Sequence, residues 1–306
     1  MSKPGEFKHI DAETVSYLSA PLNERVNFVM RDRWVGYDVA EKILRRMQSL
    51  LEMPKRVRMP NLLIIGEGGN GKTHILREFL QQHPVCDRPE ANTASVPVVF
   101  LNSPSEPNAG ALAQRIIRAI GSPFHQSNSK SGKILAAIDQ LRLVNARVLI
   151  IDEIHDVLSG SKSLEVLKML KDISNETRIP IIGAGTVVAQ SALAVDSQLE
   201  QRFSYEKIPF WSIDTTDKKL DYQRFVKSLE LKIPLPEPSN LFAEKKLSEI
   251  FDHAGGRIGD IANVVTEAAV LALRAEEPNI SLDRLREAGE AGPSQSRRRA
   301  VQKTEE

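Results

Sequence analysis

The sequence has one cysteine, no long apolar run and almost no net charge, and each of these absences excludes a class of protein. The single Cys86 excludes an intramolecular disulfide and a cysteine-based zinc site. Lysine and arginine total 41 against 40 aspartate and glutamate residues, a net charge of +1. The chain as a whole therefore does not attract nucleic acid or a membrane surface, and any polyanion site must be a local patch.

Apolar residues never form a run of about 18, the length that a membrane-spanning helix needs. The opening residues, MSKPGEFKHIDAE, contain no apolar stretch that could serve as a signal peptide. With 306 residues, 41% of them apolar and 26% charged, the chain has the composition of a globular protein that can bury a sizeable core. We therefore expect a cytoplasmic protein without a membrane partner.

Hydrophobic periodicity divides the chain into helical and alternating regions. Leu22 to Leu51 has helical spacing, with a break at Gly36. Short apolar runs bounded by proline or glycine then alternate with amphipathic stretches. The predicted strands are Asn61–Ile65, Val96–Leu101, Val148–Ile151 and Ile179–Gly183, and the predicted helices are Thr73–Gln82, Ala109–Ile120, Gly132–Val144 and Leu164–Ile173. Such alternation predicts an α/β fold with a parallel sheet sandwiched by helices.

Strand signals fade after about Trp211, and only helical patterns follow. The predicted helices there are Lys218–Leu231, Leu241–Ala254, Ile258–Arg274 and Ser281–Ala288. We therefore expect an N-terminal helical arm over 1–54, an α/β core over 55–211 and a small helical domain over 212–291. The Ser/Gln/Arg-rich tail, 292–306, is expected to be disordered.

A glycine-rich run follows the first predicted strand and fits the pattern G-x-x-x-x-G-K-[ST] in full. Its glycines allow several backbone N–H groups to point at one anion, at the positive end of the following helix. Lys72 would then reach the β- and γ-phosphates of a nucleotide, and the Thr73 hydroxyl would bind Mg²⁺. An ordinary glycine turn is the alternative. The loop residues are Gly66, Glu67, Gly68, Gly69, Asn70 and Gly71.

Two carboxylates end the most apolar strand and indicate which nucleotide chemistry to expect. Asp152 can hold Mg²⁺, and Glu153 can orient and deprotonate a water aimed at the γ-phosphate. The alternative is an acidic helix start that stabilises the helix dipole. Because no guanine-specifying N-K-x-D stretch follows, we expect Mg²⁺-dependent hydrolysis of ATP rather than of GTP.

A further polar residue, Thr186, ends the strand that we expect beside the Asp152 strand. Its hydroxyl would face the γ-phosphate and the attacking water. A threonine at this point is also typical of a helix N-cap, and both roles are open.

Together these motifs resemble AAA+ ATPases, and more closely the TniB/TnsC type of transposition regulator of bacterial mobile elements. The segments that carry the resemblance are RDRWVGY (31–37), RMPNLLIIGEGGNGKT (58–73), PVVFL (97–101), LIIDEIH (149–155), GAGT (183–186) and LEQRF (199–203). The resemblance implies an AAA+ P-loop NTPase with a C-terminal helical lid domain. It also implies ring or helical homo-oligomers on double-stranded DNA that recruit a DDE-type transposase together with a TniQ-like targeting protein.

Residue roles follow from the same resemblance. Arg202, in the L-x-x-R-F position, would enter the neighbouring subunit's site, although a lone surface arginine is the alternative. Trp34 and Tyr37 would form walls of the adenine pocket, with core packing as an equal interpretation. One departure concerns the lid, because Asp260 stands where many relatives have a nucleotide-sensing arginine; Arg257 could substitute.

DNA contacts are the least specific part of the sequence. In relatives, the loops after the second strand face the DNA; here Ser103–Ala109 is nearly without cations, whereas Ser127–Lys133 carries cations and hydroxyls. Two cations per subunit would suffice only if many subunits acted together. A solvated loop is the alternative, and Lys55–Arg58 or Arg297–Arg299 could instead contact DNA or transposase. The candidate DNA residues are Ser129, Lys130, Ser131 and Lys133.

Two other functions remain open from the sequence alone. One is an AAA+ loader or remodeller that acts on a protein partner, of the secretion or replication type, without binding DNA. The other is a nucleotide-gated scaffold whose hydrolysis is vestigial, against which the water-activating Glu153 argues. DNA-dependent oligomerisation distinguishes the transposition regulator from the protein remodeller, and ATP turnover distinguishes both from the scaffold.

Overall fold

The structure, a computed structural model, describes residues 7–88, 93–104, 106, 108–121 and 129–291. The chain divides into two compact units. One is Asp38–Pro209, and the other is formed by the chain on either side, up to Tyr37 and from Phe210 onward. The boundary at residue 38 divides the predicted N-terminal arm between the two units. The predicted tail, 292–306, lies outside the described residues.

Strands and helices alternate through the first unit, as the sequence pattern predicts. The strands are β1 (Asn61–Ile65), β2 (Cys86–Arg88), β3 (Thr93–Ser95), β4 (Val98–Asn102), β5 (Val148–Asp152), β6 (Ile181–Gly185) and β7 (Phe203–Lys207). The helices of the whole described chain are α1 (Ala12–Val15), α2 (Leu22–Met30), α3 (Asp38–Glu52), α4 (Lys72–Gln82), α5 (Ala109–Ala119), α6 (Lys130–Leu143), α7 (His155–Leu158), α8 (Ser163–Thr177), α9 (Val187–Leu193), α10 (Ser197–Glu200), α11 (Thr216–Glu230), α12 (Glu244–Ala254), α13 (Ile258–Arg274) and α14 (Leu282–Ala291).

Five parallel strands form the main sheet in the order β4-β5-β6-β1-β7. Every residue of β1, β5 and β6 is buried, and successive side chains of a strand point to opposite faces. Both faces of the sheet are therefore covered, which explains why these strands read as continuous apolar runs. The edge strand β7 is only partly buried. The parallel, helix-covered α/β sheet expected from the sequence is confirmed.

Prolines shift two strands relative to their predicted bounds. Pro97 and Pro180 have no N–H to donate to a ladder, and both accept bonds through their carbonyls, from Val148 N and Leu149 N respectively. β4 and β6 begin just after these prolines, each two residues later than predicted. The short antiparallel pair of β2 and β3 has no counterpart among the sequence predictions, because strands of three residues are too short to show a period.

The register of the sheet determines which residues share an edge. Ile65 of β1 lies beside Gly185 of β6, and Asn102 of β4 lies beside Asp152 of β5. The strand that follows the acidic strand β5 along the chain, β6, is its direct neighbour in the sheet, as predicted. Because all five strands run in parallel, the segments that follow their carboxyl ends meet along one edge of the sheet, where α/β proteins bind ligands.

The second unit is helical. Apolar residues of α11 to α14 form its core, together with Val29 of α2. Tyr222 and Leu285 are completely buried there. Helix α12 ends where Gly255, at φ 61°, takes a left-handed conformation. In the described part of the chain, no helix is both long and apolar enough to cross a membrane.

Candidate functional site

The loop between β1 and α4 forms an open cradle at the carboxyl edge of the sheet. Gly69 and Gly71 have φ angles of 75° and 82°, in the left-handed region that favours glycine. A Cβ added at Gly68 or Gly69 would meet nothing within 4 Å, so space remains over the loop. Helix α4 begins after Gly71 without a side-chain cap. Its first N–H groups are therefore available to an anion at the positive end of the helix dipole.

Asn70 anchors this loop from below. Its side chain is 1% exposed, and its Nδ2 donates to the carbonyls of Ile208 at 2.8 Å and Pro209 at 3.2 Å. These bonds tie the loop to the segment that follows the edge strand β7. Asn70 thus fixes the shape of the loop, and its own backbone N–H donates to the carbonyl of Glu67 at 3.2 Å.

Lys72 is buried inside the loop, with an exposed fraction of 3%. Its Nζ donates to the carbonyls of Gly66 at 2.9 Å and Glu67 at 3.2 Å, and lies 4.0 Å from Glu153 Oε1. A buried ammonium is costly unless an anion compensates its charge, and here the nearest carboxylate is at the limit of an ion pair. The geometry therefore favours an additional anion at the cradle.

Thr73 and Asp152 join the loop to the acidic strand. The Thr73 hydroxyl donates to Asp152 Oδ2 at 2.7 Å, while Oδ1 accepts the backbone N–H of Glu153 at 2.9 Å. Asp152 is 2% exposed. Two neighbouring ligands of octahedral Mg²⁺, each about 2.1 Å from the metal, lie about 3 Å apart. The spacing and the chemistry of these two oxygens therefore fit a magnesium site.

Glu153 follows Asp152 in an unusual backbone conformation. Its φ of 49° lies in the left-handed region, which turns the chain sharply between β5 and α7. The side chain is 41% exposed, and its Oε2 lies 3.2 Å from Nδ1 of His155. Helix α7 has Ile154 as its N-cap residue and no side-chain cap. Glu153 therefore makes no side-chain capping hydrogen bond to this helix, and both interpretations of its carboxylate, a water-activating base and an acidic residue at a helix start, stay predictions.

Thr186 enters the same edge from β6. It follows Gly185, whose carbonyl accepts the N–H of Gly66 at 3.0 Å, so it lies between the loop and the acidic strand. Thr186 occupies the N-cap position of α9, but its hydroxyl makes no capping hydrogen bond. Thr186 therefore stands at a helix N-cap as expected, but its hydroxyl does not bond to the backbone of the helix.

Arg202 lies at the opposite edge of the sheet. Its carbonyl accepts the N–H of Asn61, the first residue of β1, at 2.7 Å, whereas the glycine loop follows the last residue of that strand. Its guanidinium donates to Asn175 Oδ1 at 2.9 Å. The structure therefore brings Lys72, Thr73, Asp152, Glu153 and Thr186 together and leaves Arg202 apart from them.

Tyr37 belongs to an aromatic cluster of the helical unit. Its ring centroid lies 5.6 Å from that of Trp211 and 5.8 Å from that of Phe225, and burial raises the pKa of its hydroxyl. Within the described residues, Tyr37 Oη and Trp211 Nε1 are both buried without a hydrogen-bond partner. Trp211 was not singled out from the sequence, because it lies far along the chain from Tyr37. Trp34 is partly exposed.

Asp260 is 6% exposed in the first turn of α13, where a carboxylate stabilises the helix dipole. Arg257, at the N-cap position of that helix, places its guanidinium 5.3 Å from the ring centroid of Phe210. Both observations describe packing within the helical unit.

All four candidate DNA residues lie at the start of helix α6 rather than in a loop. Ser129 caps α6 by accepting the N–H of Gly132, and Lys130 pairs with Glu165 at 2.6 Å. The Lys130 hydrogen bond lowers the pKa of Glu165. Ser131 is exposed, and Lys133 is half-buried beside Gly110. Residues 122–128 and Arg297–Arg299 lie outside the described part of the chain.

Comparison with known proteins gives one family and two groups of relatives. A family model described as "Bacterial TniB protein" matches residues 25–213. The chaperone protein ClpB of Mycoplasma genitalium is 26% identical over 201 residues, which cover 60% of this chain and 26% of that protein. ClpB of Mycoplasmoides gallisepticum is 26% identical over 205 residues, which cover 65% of this chain and 25% of that protein. The chain thus spans about a quarter of the length of these curated relatives.

Solved structures with a similar fold include three proteins. The Aeropyrum pernix ORC2 protein, in ADPNP–ADP complexes, matches with a TM-score of 0.62 and 20% identity over 86% of this chain and 71% of that one. The Aeropyrum pernix ORC1 protein in complex with DNA matches with a TM-score of 0.60 and 16% sequence identity, and the match covers 86% of this chain and 68% of that one. The Thermotoga maritima RuvB Holliday junction branch migration motor matches with a TM-score of 0.51 and 15% sequence identity, and the match covers 86% of this chain and 72% of that one. At these identities the likeness shows the fold.

Proposed function

The chain belongs to the TniB family and has an AAA+ fold, and from these facts we propose that it is an ATP-dependent regulator of DNA transposition. Family membership supports nucleotide hydrolysis in general. The observation that carries ATP hydrolysis in this proposal is the convergence of a phosphate cradle, a buried lysine and two carboxylates at one edge of the sheet, and the link to transposition is supported by the family match.

ATP would bind with its phosphates over the loop Gly66–Gly71. The backbone N–H groups and the start of α4 would hold the β- and γ-phosphates, and Lys72 would exchange its carbonyl contacts for phosphate oxygens. Thr73 and Asp152 would hold Mg²⁺, which when bound neutralises phosphate charge. The Aeropyrum pernix ORC2 protein, which has a similar fold, is described in ADPNP–ADP complexes, and this supports an adenine nucleotide.

Glu153 is the residue that we propose accepts a proton from the attacking water. Its side chain is partly exposed beside Lys72 and can turn toward the γ-phosphate, while the Thr186 hydroxyl can hold the same water from the neighbouring strand. Glu153→Gln should retain ATP binding and lose hydrolysis by at least about a hundredfold, because general-base catalysis contributes that much.

A matched control for this variant is Asp156→Asn, which neutralises an exposed carboxylate three residues away on α7. It should hydrolyse ATP like the wild type, as measured by phosphate release. Turnover by Glu153→Gln at the wild-type rate would assign the base to another group and remove the proposed mechanism.

Arg202 is proposed to act on ATP bound to a second copy of the chain. It lies at the sheet edge opposite its own phosphate loop, which supports a role at an interface rather than at its own nucleotide. Each complete site would then need two subunits, and ATP would promote a ring or helical homo-oligomer.

Double-stranded DNA is the proposed scaffold of that oligomer, with a DDE-type transposase and a TniQ-like protein as further partners. The TniB family model supports the link to transposition, and a similar fold is seen in an ORC1 protein solved with DNA. Lys130 and Lys133, with Ser129 and Ser131, are the proposed DNA contacts. Because the chain carries a net charge of only +1, DNA affinity would come from many subunits acting together.

A second candidate function is favoured by the ClpB similarity. The chain could load or remodel a protein partner, since the curated relatives that it matches are chaperones. Nucleotide turnover does not distinguish the two functions, because both hydrolyse ATP. Assembly that requires duplex DNA supports the transposition regulator, whereas nucleotide-driven assembly that is indifferent to DNA supports the protein remodeller.

A further inference from the structure

A cavity of about 490 Å³ opens at the amino-terminal edge of the sheet, away from the phosphate loop. Its walls include Arg56, Arg58 and Met59 from the segment before β1, and Gln198, Gln201 and Arg202 from the region of α10. The volume lies within the usual range of small-molecule sites. From the sequence, Arg202 is assigned to a shared nucleotide site, and the segment Lys55–Arg58 is an alternative contact for DNA or transposase.

The lining of the cavity has the chemistry of a phosphate site. Three guanidiniums and two amides supply its polar groups, and none of the described lining residues is acidic. Arg56 and Arg58 are exposed, and neither guanidinium forms an ion pair or hydrogen bond with any described residue. A guanidinium offers five N–H donors in a planar fork that matches phosphate oxygens. Like charges gathered around one space repel each other, so an anion between them would be stabilised.

Both arginine-bearing segments are anchored to the start of β1. Asn61 donates its N–H to the carbonyl of Arg202 and accepts the Ser204 hydroxyl at 3.1 Å. Met59 is 1% exposed, and its sulfur accepts the N–H of Arg56 at 3.2 Å, which turns the Arg56–Arg58 segment toward the cavity. The backbones that present the three arginines are therefore held in a fixed arrangement.

We propose that Arg56 and Arg58 join Arg202 in one cationic site that receives the polyphosphate of ATP bound to a second copy of the chain. This inference rests on the proposed shared-site ATPase and extends it to two arginines before the phosphate loop. The chain's own loop lies at the other end of β1, four residue steps of about 3.3 Å away. A concave pocket lined by three arginines suits a compact polyphosphate better than the extended backbone of duplex DNA.

The test is the double variant Arg56→Ala/Arg58→Ala, assayed for ATP hydrolysis at a saturating concentration of duplex DNA, with DNA binding measured separately. Neither guanidinium has a partner among the described residues, and the backbone N–H of Arg56 that donates to Met59 is kept, so the variant should fold and bind ATP like the wild type. Its kcat should fall at least about tenfold, since charge-assisted hydrogen bonds to the transferred phosphate are lost. Mixing it with Lys72→Ala subunits should restore turnover, because each supplies the half-site that the other lacks.

A matched control is Arg115→Ala/Arg118→Ala, which removes the same charge from exposed positions of α5 that do not line the cavity. It should keep wild-type kcat. Wild-type kcat in Arg56→Ala/Arg58→Ala, while Arg202→Ala and Lys72→Ala still complement each other, would overturn this inference and leave the proposed ATPase intact. Wild-type kcat with weakened DNA binding would overturn it in favour of a DNA contact. Absence of complementation between Arg202→Ala and Lys72→Ala would overturn both proposals.

Discussion

The hydroxyl of Thr73 donates a hydrogen bond to Asp152 Oδ2 across 2.7 Å, and this contact joins the helix after the glycine loop to the end of the acidic strand. The two residues are far apart in the sequence and come from adjacent layers of the α/β unit. Their oxygens are spaced as two neighbouring ligands of one magnesium ion. A single contact therefore relates the two motifs from which nucleotide hydrolysis is inferred.

Replacing the Thr73 hydroxyl should weaken magnesium binding. Thr73→Val has nearly the same shape and removes the oxygen, so the Mg²⁺ concentration for half-maximal ATP turnover should rise at least about tenfold. Thr73→Ser keeps the hydroxyl and should retain turnover near the wild-type Mg²⁺ dependence. A Mg²⁺ titration of phosphate release measures both, and identical curves for Thr73→Val and wild type would exclude this hydroxyl as a ligand.

The glycine loop and the acidic strand could be predicted because each is encoded locally. A full G-x-x-x-x-G-K-[ST] pattern between an apolar strand and an amphipathic helix leaves few alternatives, and Val148–Asp152 is apolar up to its final carboxylate. The family resemblance drawn from these motifs is confirmed by the match over residues 25–213. The parallel sheet follows from alternation alone.

What the sequence could not show depends on contacts between distant segments. Glu165 is an ordinary acidic residue of α8 in the sequence, and only the fold places it against Lys130. The aromatic cluster of Tyr37 and Trp211 also joins positions far apart in the chain. The position of Arg202 at the edge opposite the glycine loop depends on the register of β7 beside β1. Periodicity carries no information on such pairings.

Arg202 should be needed for hydrolysis but not for binding. Arg202→Ala should bind ATP like the wild type and hydrolyse it more slowly by on the order of 10³–10⁵, the typical effect of an arginine supplied in trans. Lys72→Ala should fail to bind ATP, because the loop N–H groups alone leave the phosphate charge poorly neutralised. A mixture of the two variants should hydrolyse ATP faster than either alone. If no mixing ratio exceeds the separate rates, Arg202 does not act across an interface.

The Glu165 carboxylate should titrate below its ordinary range. The hydrogen bond from Lys130 lowers its pKa, so the pair stabilises the fold above the unfolded-state pKa of Glu165, and this contribution is lost as the pH falls through the folded-state value. Lys130→Ala should raise the Glu165 pKa toward 4.5, as followed by NMR of the side-chain carboxyl. The control is Lys162→Ala, which removes a weaker electrostatic effect of Lys162 on Glu165 and should raise the Glu165 pKa less. An unchanged pKa in Lys130→Ala would show that the ion pair is absent in solution.

The central claim is that ATP converts weak single-subunit contacts with duplex DNA into cooperative binding. Fluorescence anisotropy of a labelled duplex, titrated with the protein in the presence and absence of a non-hydrolysable ATP analogue, tests it directly. With the analogue, binding should be cooperative, indifferent to sequence and strongly salt-dependent, because each neutralised phosphate contributes about −0.9 to the salt slope. Without the analogue, or with Lys72→Ala in either condition, binding should be weak. Equal DNA affinity with and without the analogue would contradict the coupling, and absence of DNA binding in both conditions would favour the protein-remodelling function.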